Sequence, residues 1–197
     1  HAYQTATVMI EFEKICMENN PSMVVVVGDV NSTVACSIVC AKLRISCAHV
    51  EAGLRSYDRD MPEEINRIIT DSIADLLLTP SPDGDENLLA EGIPIKRIKR
   101  VGNVMIDSLY SNLERSKKSE IANQLQVKDE YAIVTLHRPS NVDDKENFTQ
   151  ILGSLEKIGE KIQLVFPLHP RTEKNAKAFG LFSRLEAIPN IVLTGPV

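Results

Sequence analysis

The stretch that decides the fold is Met23-Val24-Val25-Val26-Val27-Gly28-Asp29-Val30-Asn31-Ser32-Thr33, followed at once by Val34-Ala35-Cys36-Ser37-Ile38-Val39-Cys40-Ala41-Lys42-Leu43. A short unbroken apolar run rich in β-branched residues reads as a strand buried on both faces, because a half-exposed strand would alternate. A Gly-Asp turn ends it, and from Ser32 to Leu43 the apolar positions recur at helical spacing. A second strand follows at Ser46 to Val50. Strand, polar loop, helix and strand in this order is the unit of a parallel sheet covered on both faces, so the fold class is α/β.

The same alternation runs outward in both directions. Further strands are expected at Leu76 to Thr79, Ile98 to Val101, Ala132 to Leu136, Gln163 to Pro167 and Ile191 to Leu193. Helical periodicity covers Tyr3 to Glu18, Glu63 to Ser72, Asp83 to Glu91, Val104 to Leu113 and Asn147 to Glu160, and another helix is expected from near Thr172. Between Ser111 and Glu130 the chain turns polar and charged, which marks a boundary: a first domain over 1–115, a linker over 116–130 and a second domain over 131–197 that restarts with a strand. The chain opens on a helix and has few elements after residue 131 for a complete second sheet, so further sequence is expected on both sides.

Composition narrows the function classes. The 197 residues carry 27 acids against 22 Lys and Arg, a net charge of −5, and no Trp. A nucleic-acid footprint wants a basic stripe and stacking platforms, so nucleic acid is not an expected partner. The longest apolar runs fall far short of the roughly 20 residues that cross a bilayer, so no membrane span is expected. Cys16, Cys36, Cys40 and Cys47 form no Cys-x-x-Cys pair and have no clustered His at zinc spacing, so they read as reduced core thiols and no metal is expected. Reduced thiols and the lack of a visible export signal place the expected site of action in the cytoplasm.

In open parallel sheets ligands bind at the carboxyl ends of strands. The first loop there is Gly28-Asp29-Val30-Asn31-Ser32-Thr33 and the second begins Glu51-Ala52-Gly53-Leu54-Arg55, running on to Pro62-Glu63-Glu64-Ile65-Asn66-Arg67. After the fifth strand sits His137-Arg138-Pro139, and after the sixth His169-Pro170-Arg171. Each has a plain alternative. Asp29, Asn31 or Ser32 could cap the next helix, and Glu63 and Glu64 after Pro62 suit an ordinary first helical turn. Arg55 and Arg67 could simply pair with those acids, and His49, inside an apolar strand, reads as a satisfied core histidine. A His-Arg pair at a strand end has the chemistry to grip a phosphate, strongly for His137 and more weakly for His169. The glycine-rich dinucleotide and P-loop fingerprints are absent, as is the Gly-x-Ser-x-Gly elbow. What remains is acids and His/Arg groups at strand ends, suited to proton abstraction from a phosphorylated sugar-like ligand.

At these loops the sequence resembles the non-hydrolysing UDP-N-acetylglucosamine 2-epimerases. The resemblance rests on Val27-Gly28-Asp29, His49-Val50-Glu51-Ala52-Gly53-Leu54-Arg55, Met61-Pro62-Glu63-Glu64-Ile65-Asn66-Arg67, Val101-Gly102-Asn103-Val104-Met105-Ile106-Asp107 and Thr135-Leu136-His137-Arg138, in the family's order. It implies two Rossmann-like domains of glycosyltransferase-B type with the active site in the cleft between them, of which this chain would hold most of the first and the start of the second. It implies reversible epimerisation of UDP-N-acetylglucosamine to UDP-N-acetylmannosamine by elimination and return of UDP, without a cofactor, for cell-surface polysaccharide precursors.

By position, the resemblance assigns Asp29, Glu51, Glu63 and His137 to catalysis and Arg55, Arg67, Arg138 and His169 to substrate binding. Arg138 and His169 fall where some bacterial members bind a second, activating UDP-N-acetylglucosamine. There the bacterial His-Arg-Arg-Glu-Asn is replaced by His137-Arg138-Pro139-Ser140-Asn141, with proline in place of a cation. The implied partners are UDP-N-acetylglucosamine and UDP, with a homodimer as the assembly. Two alternatives stand beside this reading: a hydrolysing 2-epimerase that releases UDP and N-acetylmannosamine, and a UDP-sugar-binding module without turnover. By itself the 197-residue piece is expected to be inactive, since the family's Ser-Gly-Gly nucleotide-binding segment is not in it.

Overall fold

The computed structural model describes residues 1–128 and 130–195. The chain divides into two compact units, His1–Glu114 and Arg115–Val197. Both are α/β with parallel strands.

The first unit runs α1 (Ala2–Asn19), β1 (Met23–Val27), α2 (Asn31–Leu43), β2 (Ser46–Val50), α3 (Pro62–Ile73), β3 (Leu76–Thr79), α4 (Pro82–Ala90) and β4 (Ile98–Arg100), and α5 (Val104–Ser116) carries the chain onward. Its strands pair in the order β1-β2-β3-β4. Register places His49 opposite Val26 on one side and Leu77 on the other, so that histidine lies in the middle of the sheet. The core gathers Val26, Cys40, Cys47, Ala52, Ala74, Leu77 and Leu88.

Two expectations change here. β1 is an edge strand among the described residues, and Val25 is 59% exposed with Met23 and Val27 beside it on the same face. Only the alternate face, with Val26, packs into the core with Cys40 of α2, so β1 is buried on one side rather than two. The helix α2 is not capped by Asp29, Asn31 or Ser32: Val30 occupies the N-cap position without a side-chain bond. The Asp29 carboxylate turns instead toward Arg67, and Asn31 bonds Asn66 and Gln4.

The four cysteines are free thiols, with Cys16, Cys40 and Cys47 buried and Cys36 half-buried. Burial pushes all four thiols up, Cys40 to about 12, so the thiolate that reacts or binds metal is scarce at neutral pH. Among the described residues no group of three or more His, Cys, Asp or Glu could hold a metal ion. None of the described helices is long and apolar enough to cross a membrane.

The second unit contains α6 (Ile121–Gln124), β5 (Tyr131–Ile133), α7 (Pro139–Val142), α8 (Lys145–Gly159), β6 (Gln163–Pro167), α9 (Pro170–Ala178), α10 (Phe182–Glu186) and β7 (Ile191–Thr194). β6 lies between β5 and β7, and Phe148, Leu152 and Leu155 of α8 pack with Leu164 and Phe166 of β6 in its core. β5 stops short of the expected Leu136. Val134 makes one more ladder bond to Val165, after which the Leu136 carbonyl is taken by the Thr172 hydroxyl rather than by a strand.

Asp144 caps α8, its Oδ1 accepting the Asn147 amide at 2.8 Å. Removing that acceptor orphans a first-turn N–H, so Asp144→Ala is expected to cost about 1 kcal/mol, read as a shift in the denaturation midpoint with unchanged cooperativity.

Candidate functional site

Two crossovers build the acidic end of the first unit. After β1 the chain turns at Gly28, which adopts φ 69° and donates its N–H to the Val50 carbonyl at 3.1 Å. After β2 it turns at Glu51, a non-glycine residue at φ 70°. Left-handed backbone at a glutamate costs of order 1 kcal/mol and persists only where the surroundings hold it. The two turns lie side by side: a Cβ added at Gly28 would sit 3.5 Å from the Glu51 carboxylate. Glu51 is half-buried, and its carboxylate makes no hydrogen bond or ion pair among the described residues.

Asp29 is held. Arg67 reaches its Oδ2 at 2.7 Å, and the Asn66 amide donates to the Asp29 carbonyl at 2.8 Å. Arg67 also pairs with Glu64 at 2.8 Å. Glu64 is 1% exposed, and its two oxygens accept the amides of Ser56 at 3.0 Å and Tyr57 at 2.9 Å, closing the long loop onto α3. Burial alone would push the Glu64 carboxyl up. The Ser56 and Tyr57 amides and the Arg67 guanidinium outweigh it and hold the group below the usual carboxylate range.

A carboxylate lowered on folding stabilises the protein above its unfolded pKa, and that contribution is lost as pH falls through the folded value. Glu64 is therefore expected to support the first unit fully above about pH 5 and progressively less below about pH 4. Glu64→Gln should be less stable than the parent at pH 7, with the gap closing in acid, as denaturant titrations at several pH values would reveal.

Arg55, expected among the substrate-binding residues, has a buried side chain. Its side chain is 2% exposed, with Nε and Nη2 on Glu91 at 2.7 and 2.6 Å and Nη1 on Asp71 at 2.8 Å and on the Leu54 carbonyl. Burial works against the charge, and the two carboxylates overcome it and raise the pKa further. These bonds tie Arg55 to α3 and to the end of α4 and fix the loop that carries it.

Gly53 allows this loop to lie flat on α4. It sits at φ 80°, and an added Cβ would collide with the Gly84 backbone. The Asp71 carboxylate receives the Gly53 amide at 3.1 Å and faces the His49 Nδ1 at 2.7 Å. His49 is fully buried and bonded at both nitrogens, as a satisfied core histidine should be.

Asp29 and Arg67 thus meet directly and Glu51 lies beside the neighbouring Gly28, whereas Glu63 is exposed on the first turn of α3, without a partner among the described residues. Sequence reasoning passed over Glu64, Asn66 and Asp71. The signal was available, because Glu64, Arg67 and Asp71 recur at helical spacing and form an acid-base-acid stripe. An apolar hollow between α1, α2 and α3, lined by Met9, Val34, Ile38, Ile65 and Ile69, contains none of the candidate residues.

In the second unit His137 and His169 follow β5 and β6, their ring centroids 5.8 Å apart and tilted by 40°. The Arg171 amide donates to the His169 Nδ1 at 3.1 Å, so the remaining proton is assigned to Nε2, free to donate outward. Thr135 Oγ1 lies 3.3 Å from the His137 Nδ1. Arg138 is exposed, without a partner among the described residues. Two imidazoles and a free guanidinium at the carboxyl end of a parallel sheet form a group able to receive an anion.

The chain is similar to known proteins over its whole length. The family model described as UDP-N-acetylglucosamine 2-epimerase matches residues 1–197. The UDP-N-acetylglucosamine 2-epimerase of Methanocaldococcus jannaschii is 42% identical over 100% of this chain and 56% of its own. The UDP-2,3-diacetamido-2,3-dideoxy-D-glucuronate 2-epimerase of Pseudomonas aeruginosa is 39% identical over 95% of this chain and 53% of its own. The crystal structure of the M. jannaschii UDP-GlcNAc 2-epimerase in complex with UDP-GlcNAc and UDP superposes with a TM-score of 0.91 at 43% identity, over 98% of this chain and 55% of that one. The chain spans about half the length of the curated relatives it matches.

Proposed function

Because this chain belongs to the UDP-N-acetylglucosamine 2-epimerase family, we propose that its intact gene product interconverts UDP-N-acetylglucosamine and UDP-N-acetylmannosamine at carbon 2 without net hydrolysis. The observation that carries this reading furthest is the Glu51 carboxylate, unpaired on a left-handed turn at the carboxyl end of β2. An ion pair lowers the basicity of a carboxylate, which favours an unpaired group as the base, and among the three candidate acids Asp29 is tied to Arg67 while Glu63 stands in solvent.

In the proposed reaction Glu51 takes the carbon 2 proton, and the electron pair of that bond forms the double bond between carbons 1 and 2. The bond from carbon 1 to the UDP oxygen breaks, and UDP leaves with the charge. UDP then returns to carbon 1 as a proton is delivered to carbon 2 from the other face by Asp29 or Glu63 in its protonated form; that acid takes a fresh proton from solvent and Glu51 releases its own, which restores the starting state. The exposed group of His137, Arg138 and His169 suits the pyrophosphate, whose charge grows as it departs. No oxidation state changes overall, so no redox cofactor is required.

The P. aeruginosa relative favours a second reading of the substrate, since its name gives a UDP-diacetamido-glucuronate undergoing the same inversion. One experiment covers both. The intact gene product is incubated in heavy water with each nucleotide sugar and followed by proton NMR. Deuterium at carbon 2 with UDP still attached is the expected result, and the faster substrate decides specificity. Free N-acetylmannosamine and UDP would establish the hydrolysing reaction instead. Binding without exchange would leave a sugar-nucleotide-binding module.

A further inference from the structure

His49 has a role that its burial alone does not require. Both of its ring nitrogens face groups that can only accept: Nδ1 lies 2.7 Å from the Asp71 Oδ1, and Nε2 lies 2.8 Å from the Gly28 carbonyl. A neutral imidazole carries one N–H and one lone pair, so one of these contacts would set lone pair against lone pair. Two protons are needed in the chain from Gly28 to Asp71. The Nε2 site holds the first, and the second lies between Nδ1 and the carboxylate. The other oxygen of Asp71 accepts from the Arg55 guanidinium at 2.8 Å and the Gly53 amide at 3.1 Å, so the carboxylate is set as an acceptor by its neighbours. The second proton therefore belongs to the ring.

The surroundings balance that charge. His49 and Asp71 are each fully buried, and the sequence of groups from ring to surface is His49, Asp71, Arg55 and Glu91, alternating in sign. The strand neighbours in register, Val26 and Leu77, are apolar and offer no competing partner.

We propose that His49 is a positioning residue which, donating from both nitrogens, locks the Gly28–Asp29 peptide and so aims the Asp29 carboxylate. Gly28 is where the chain turns, and its carbonyl belongs to the peptide that starts Asp29. The charge-assisted bond from His49 fixes one side of Asp29, while Asn66 holds its carbonyl and Arg67 its carboxylate. The same ring ties this loop through Asp71 to Gly53 and Arg55, so the two loops that carry Asp29 and Glu51 are set by one buried group. This inference rests on the reading of Asp29 as a proton-transfer group.

The direct test needs no variant. In the 197-residue protein labelled with nitrogen-15, long-range spectra of the histidine rings at pH 7 are expected to show both His49 nitrogens carrying protons. The exposed His1, His137 and His169 provide the reference. An unprotonated His49 nitrogen would overturn the proposal. His49→Gln is then compared by amide exchange. Exchange at Gly28, Asp29 and Val30 is expected to quicken at least tenfold, with β3 and α4 changed less than twofold. Uniform acceleration across the unit, or none at the loop, would mean that His49 does not position it.

In the intact gene product the same substitution is expected to lower kcat at least tenfold with KM within threefold. An unchanged kcat would overturn the positioning role. Absence of carbon 2 exchange in the unsubstituted enzyme would instead sink the proposed epimerase reaction, and the ring and amide measurements would still decide the role of His49.

Discussion

Asp71→Ala is expected to destabilise the first unit by about 3–5 kcal/mol, enough to lower its thermal midpoint by well over about 10 °C. The reason is the company Asp71 keeps. Its two oxygens hold the His49 Nδ1 at 2.7 Å, the Arg55 Nη1 at 2.8 Å and the Gly53 amide at 3.1 Å, with no solvent access to its side chain. Deleting the carboxylate leaves a buried guanidinium with half its compensation and a buried ring facing a void. Removing one member of such a network costs far more than the net worth of the intact pair, because the remaining charge stays desolvated. Asp71→Asn keeps the shape and one acceptor and should recover only part of the loss. A change below about 0.5 kcal/mol in urea or thermal titration would mean that water fills the site and the network does not carry the fold.

Glu51→Gln is expected to lower turnover of the intact gene product by about 10²–10⁴-fold while UDP still binds. The amide is nearly isosteric, so the turn at φ 70° and its contact with Gly28 survive, and only the capacity to take a proton is lost. The split between chemistry and binding is the diagnostic. Steady-state exchange of the carbon 2 proton gives the first and calorimetry with UDP the second. If exchange continues at the parent rate, Glu51 is not the base and the assignment passes to Asp29, whose pairing with Arg67 would then have to open on binding.

The fold was largely legible because it depends on short-range apolar pattern. β1, β2, β3 and β6 span the ranges expected from their short, mostly apolar stretches. α6, α7 and α10 were not legible, since four or five residues are too few to display a helical stripe. β5 was read too long because the run through Leu136 keeps its strand-forming residues, and a tertiary partner, Thr172, takes the Leu136 carbonyl.

The candidate site was legible where it uses loops at strand ends and hidden where it uses a helix. α3 turns Glu64, Asn66, Thr70 and Asp71 inward, whereas a reading that searches for an apolar face assigns such residues to solvent. The partners of Arg55 were hidden for the same reason: nothing local in its loop announces that Asp71 and Glu91, 16 and 36 residues onward, meet it.

The exposed row on β1 governs how this chain behaves in the tube. Met23, Val25 and Val27 stand on one face of an edge strand whose outer backbone groups offer a ready template for another strand. Neither a lysine nor a proline interrupts the run from Met23 to Val27, and a net charge of −5 over 197 residues supplies only modest repulsion between copies. Association between copies through this strand is therefore expected to rise with protein concentration and with salt, as light scattering would reveal.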